Sequence, residues 1–231
     1  MKARLSLLAV AVTAIAAAVW WHSRSSEPPV LAFRLGQTLE QVARDSAYPV
    51  VERSKRLADG QLGEHKFHVI EIKEPALTIR FTDPKHGFTL PLTNVATLTI
   101  SDNQVLSLAT SLMADPLPFN EAVAILENLQ NRFKARGWEP WSRNGSTWFD
   151  LTPEGKKRLY ARMFKPEYIE KTNLRVPKIY GLTVQLKCTE SCQSRTPPYL
   201  FYINIGVGND YERTDLWRWA RPGAAVSASL Q

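Results

Sequence analysis

Period-two alternation constrains this chain more than any other pattern in it. Every second residue is apolar in Tyr180, Leu182, Val184, Leu186 and Cys188, and again in Tyr199, Phe201, Ile203, Ile205 and Val207. Successive side chains of a strand point to opposite faces, so each stretch predicts a strand with one buried face. Together they predict a hairpin with long arms, its connection carrying the cysteines. Leu77, Ile79 and Phe81 alternate likewise with Thr78, Arg80 and Thr82, and Phe88, Leu90 and Leu92 repeat the pattern. Ala96, Leu98 and Ile100 lead into the polar turn Ser101-Asp-Asn-Gln104 and then Val105 to Leu108, a second hairpin. The short connections predict a meander of three to five antiparallel strands between about residues 66 and 110.

Helical patterning occupies what lies between. Thr38 and Gln41 have the spacing of a capping box and predict a short helix start. Asp115-Pro-Leu-Pro118 interrupts the sheet pattern, after which Ala122, Ile125, Leu126, Leu129 and Phe133 share one helical face. Asn120 is the natural N-cap of that helix, and Gly137 its C′ residue behind Arg132, Lys134 and Arg136. Thr152-Pro-Glu154 announces a shorter helix running to Phe164, and Thr147 to Leu151 reads as a strand. With 44% hydrophobic residues there is ample material for a core. The fold class is therefore α+β, antiparallel sheet packed with a few helices, preceded by one N-terminal membrane-spanning or signal helix. The divisions are 1–22 signal anchor or signal peptide, 23–31 tether, 32–114 helix plus antiparallel meander, 115–209 helix-rich unit ending in the long hairpin, and 210–231 a C-terminal tail.

The N-terminal segment places the remainder. Lys2 and Arg4 precede an apolar run from Leu5 to Trp21, the pattern of an export signal. Ala16-Ala17-Ala18 offers a cleavage site, whereas Trp20, Trp21 and Arg24 are the residues that anchor a retained helix at the interface. The expected location is the inner membrane, single-pass, with the C-terminal domain in the periplasm; the alternative is secretion into the periplasm after cleavage. Of the net charge of +7, Lys2, Arg4 and Arg24 contribute three, so residues 25–231 carry +4. With no arginine-rich run and no recognition motif, that excess implies no nucleic-acid partner.

Cys188 and Cys192 are the only cysteines, and in an oxidising compartment the pair predicts a disulfide across a tight turn at Thr189 to Ser191. His65 and His68 with Glu64, Glu71 and Glu74 are the densest group of potential metal ligands. In a strand a spacing of three places the histidines on opposite faces, and His-Glu-x-x-His is absent, so no metal is predicted. No serine stands in Gly-x-Ser-x-Gly, and Gly206-Val-Gly208 lacks the rest of a phosphate loop, so neither catalytic residues nor a cofactor are predicted. Trp138, Trp141 and Trp148 read as core and turn packing. Trp217 and Trp219 share a face when extended and flank Arg218, residue types enriched where proteins bind one another, so this trio is the candidate partner-contacting or membrane-surface patch.

The segment Leu35-Gly-Gln-Thr-Leu-Glu-Gln-Val42, followed by strands ending in Leu98-Thr-Ile-Ser-Asp-Asn-Gln-Val-Leu-Ser-Leu108, resembles the small envelope lipoproteins that include BamE, over residues 33–110. The chain departs from that family in having no lipidated cysteine and no Leu-Gly-x-Pro after a second helix. The resemblance implies a non-enzymatic module that binds other envelope proteins. The sequence as a whole is read as a periplasmic binding protein anchored in the inner membrane, partnered by another envelope or toxin protein, in one version an immunity protein against a periplasm-delivered toxin. An envelope-assembly accessory and a hydrolase with a dispersed active site are the alternatives.

Overall fold

The computed structural model describes residues 27–62, 65–165 and 167–210. In chain order the elements are β1 (Val30–Phe33), α1 (Leu39–Asp45), α2 (Val50–Arg53), β2 (Ser54–Leu62), β3 (His65–Phe81), β4 (Phe88–Thr89), β5 (Thr93–Ser101), β6 (Gln104–Pro118), α3 (Phe119–Ala135), β7 (Glu139–Pro140), α4 (Pro153–Arg162), β8 (Ile169–Val176), β9 (Tyr180–Cys188), α5 (Glu190–Ser194) and β10 (Leu200–Asn209). The fold is mixed α+β, a large sheet with few helices. Among the described residues no helix is long and apolar enough to cross a membrane, and the expected N-terminal helix lies outside them.

The ten strands among the described residues join one sheet in the order β1-β3-β5-β6-β10-β9-β8-β7, with β2 and β4 also on β3. β1 runs parallel to the end of β3, Val30 opposite Thr78 and Phe33 opposite Phe81, and so takes in two residues of the expected tether. The Val30 carbonyl accepts from the N–H groups of Ala47 and Tyr48. The two α+β units expected from sequence meet at a central seam, where β6 and β10 pair antiparallel. Each half repeats one plan: two helices, then a three-stranded meander whose last strand lies at the seam. In the first the helices are α1 and α2 and the meander β3-β5-β6; in the second they are α3 and α4 and β8-β9-β10.

The alternation has its physical basis in rows that cross all six central strands. One runs Ile70, Leu98, Leu108, Val207, Leu182, Leu174, the next Ile72, Ala96, Thr110, Ile205, Val184, Thr172, and every member is buried. Burying each of the larger aliphatic side chains stabilises the fold by about 2 kcal/mol. Leu126, Leu129 and Phe133 of α3, Leu159 of α4 and Val42 of α1 complete the same core. Thr38 and Gln41 form the expected capping box.

Four local expectations are corrected. The helix after the double proline begins at Phe119, with Pro118 rather than Asn120 at the cap. Phe119 places its ring 5.2 Å from Phe201 and 4.9 Å from Tyr160, which holds Phe119 itself in the first turn. β6 continues through the prolines: its register against β10 shifts between Phe201 and Ile203, so residues 113–116 bulge where no ladder N–H is needed. Residues 147–151 form no strand. A buried glutamine supplies their pairing instead: Phe149 N–H donates to Gln130 Oε1 at 2.9 Å, and Gln130 Nε2 donates to the Phe149 carbonyl at 3.3 Å. The helix capped by Thr152 ends at Arg162, short of Phe164.

The cysteine sulfurs lie at disulfide distance, with Cα atoms 6.0 Å apart. The turn that returns Cys192 to the end of β9 is the start of α5, where Cys192 N–H donates to the Thr189 carbonyl.

Candidate functional site

The helices lie on the inward rows, so the outward rows define the second face of the sheet. One runs Glu71, Thr97, Ala109, Gly206, Thr183, Asn173 and its neighbour Lys73, Val95, Ser111, Asn204, Gln185, Lys171. A third runs Val69, Thr99, Ser107, Gly208, Gly181, Arg175 and ends on Glu139 of β7. β5, β6, β10 and β9 carry no charge in these rows, and charge begins on β3 and β8. Small side chains in the middle leave a trough of about 440 Å³ across the seam, lined by Thr97, Ala109, Ser111, Thr183, Gln185 and Asn204 among others.

The glycines belong to this surface rather than to a phosphate loop. Gly206 sits at the seam in β10, and a Cβ built on it meets nothing nearer than the Leu108 carbonyl at 4.0 Å. The backbone therefore tolerates a side chain there, and its absence keeps the trough open. Lys187 holds its ammonium 5.9 Å from the Tyr202 ring at one end. Lys73 pairs with Glu71 at 2.9 Å, and Arg175 Nε reaches Glu139 at 3.3 Å. Counting Lys55 opposite Glu71 on β2 and Lys171 on β8, five basic side chains stand against two acidic ones around the trough. Such a rim favours a surface of opposite sign.

Trp217, Trp219 and Arg218 lie outside the described residues. His68 and Glu71 are on opposite faces of β3, and among the described residues no three His, Cys, Asp or Glu side chains are grouped to hold a metal ion. Trp138 is buried among Phe88, Phe133 and Tyr180, with its indole N–H donating to the His86 carbonyl at 3.0 Å. Trp148 packs under the Lys134 ammonium. The trough itself was present in the sequence as the outward partners of the alternation, Thr97, Ser111, Thr183, Gln185, Asn204 and Gly206. Comparison of the chain with protein-family models, curated proteins and solved structures found no match.

Proposed function

We propose that this protein works by binding another protein, with the outward face of the seam as its contact surface, while its N-terminal segment holds it at the outer side of the inner membrane. The supporting observation is the uncharged trough within a basic rim. Its floor requires little desolvation of charge, and its rim selects an acidic, convex partner. In one version the partner is a toxin delivered into the periplasm and the protein confers immunity. The capped helix and the β5–β6 hairpin, which carry the resemblance to BamE, support a second version, an accessory in envelope assembly.

The test uses the full chain and substitutions that change the trough alone. Gly206→Arg and Ala109→Arg fill the floor with charge, and Lys157→Glu alters the far side of α4. A partner crosslinked to the face is identified, purified and titrated against each variant. The expected result is loss of binding in the first two, with unchanged melting temperature, and parental affinity in the third. Equal affinity in all three sinks the reading, as does turnover of a substrate that needs none of these residues. For the immunity version, the parent but not Gly206→Arg rescues cells that export the identified partner as a toxin into the periplasm.

A further inference from the structure

A second concavity, of about 630 Å³, opens between the end of α3 and the loop joining β3 to β4. Arg80, Arg132 and Arg136 line it, with Phe81 and Phe88 among its walls. Arg132 lies in the last turn of α3 and Arg136 is its C-cap residue, so two like charges stand at one end of the helix. Arg80 enters from the sheet. Elsewhere Arg44, Arg56, Arg158, Arg162 and Arg175 each lie within 4 Å of a carboxylate. The three cleft arginines have no such partner among the described residues. Arg132 donates one N–H to the Thr89 carbonyl at 3.3 Å, which fixes its guanidinium and leaves its other donors for a ligand.

The single carboxylate in the lining does not neutralise them. Asp83 Oδ1 accepts from the N–H groups of His86 and Lys85 at 2.6 and 2.9 Å, and Oδ2 accepts from the Tyr180 hydroxyl at 2.9 Å. His86 Nδ1 lies 2.8 Å from the Arg136 carbonyl, so it carries the proton and ties the loop to the end of α3. Gly87 is obligatory here, because a Cβ would stand 2.3 Å from the Asp83 carbonyl oxygen. The walls are thus braced before any ligand arrives.

We propose that this cleft binds a phosphate group, the charge coming from Arg80, Arg132 and Arg136. Guanidinium groups meet phosphate oxygens in paired hydrogen bonds, and a ligand anion relieves the repulsion among them. A free phosphate monoester and an anionic lipid headgroup offer the same chemistry. This site is independent of the trough.

The full chain is titrated calorimetrically with inorganic phosphate, phenyl phosphate and a short-chain phosphatidylglycerol. Saturable binding of at least one probe is expected, weakened about tenfold by Arg80→Gln and by Arg136→Gln. Both side chains lie at the surface, so unchanged melting temperatures in the absence of ligand are expected, and Lys157→Gln should bind as the parent does. Tighter binding of the lipid identifies a headgroup site, and tighter binding of phenyl phosphate a site for a soluble monoester. No saturable binding of any probe overturns the proposal, as does parental affinity in both arginine variants.

Discussion

The two halves repeat one plan yet finish their outer edges differently. At β8 the edge is covered. Glu139 and Pro140 pair with Arg175 and Leu174, Trp141 N–H donates to the Asn173 carbonyl, and Thr172 Oγ1 donates to the Thr147 carbonyl. At β3 two strands share the task, β1 over residues 78–81 and β2 over residues 65–72. β2 then leaves its own outer side uncovered, and Leu57 is 48% exposed. What guards it is its composition, Lys55, Arg56 and Asp59, together with a register shift between Arg56 and Ala58. Charge and a bulge discourage a second chain from adding to an edge as effectively as a cover does. The same scaffold thus shows both solutions.

The largest expected effect comes from stripping a cover. A chain beginning at residue 27 retains β1 and should unfold cooperatively, whereas one beginning at residue 35 loses buried Leu31 and Phe33. It should lose about 4 kcal/mol or more, seen as a collapsed or broadened denaturant transition. Close behind is the helix that supports the other edge. Leu126→Asp places a charge at a 1% exposed position and should cost several kcal/mol, while Lys134→Ala forfeits only its contact with Trp148, under about 1 kcal/mol. Parental melting of Leu126→Asp would mean that the core lies on another face of α3. Gln130→Leu removes both bonds to Phe149 and should cost about 2 kcal/mol, with faster amide exchange at Phe149 and Asn173 than at any residue of the central strands.

A subtler comparison concerns the bond between the halves, from Tyr180 of β9 to Asp83 beside β4. Burial first, then the bond to Asp83, pushes the Tyr180 hydroxyl up to about 12. The fold holds the neutral phenol, so this stabilisation is complete below pH about 10 and is lost as pH rises through about 12. For Asp83, burial acts upward, but the N–H of His86, the Tyr180 hydroxyl and the N–H of Lys85 outweigh it and hold its carboxyl below the ordinary value. Its contribution is therefore lost in acid, as pH falls through that lowered value. Tyr180→Phe should flatten the alkaline fall in melting temperature; an unchanged profile would assign that fall to Tyr168, also raised to about 12 by burial and by Glu170. The smallest effect is expected at the free edge, where Leu57→Glu should change stability by no more than about 0.5 kcal/mol.

How much of this was legible follows from which faces each strand buries. β5, β6, β9 and β10 lie in the sheet's interior, bury alternate residues against helices and announce themselves by period two. β2 exposes both sides, so Ser-Lys-Arg-Leu-Ala-Asp-Gly-Gln-Leu carries no alternation. β8 hides behind Thr172, a polar residue that occupies a core position by donating to the Thr147 carbonyl. β1 is buried along Leu31, Ala32 and Phe33 and reads as a plain apolar run. The seam was invisible, because pairing Ser107 with Gly208 is a long-range register that no local pattern encodes. For the same reason the face appeared as separate polar alternations and the arginine cleft as unrelated positions in β3 and α3.

The seam also sets an order in time. Synthesis runs from the N-terminus, and β3, β5 and β6 can pair as soon as they emerge, since their connections are short. β6 then waits. Its partner β10 is among the last segments to be made, and until it arrives Leu108, Thr110 and Leu112 present an unpaired strand edge on one side. The chain must therefore spend most of its maturation with the middle of its future sheet bare. A factor that shields such an edge during passage to the folded state would act first on β6 and later on the facing edge of β9.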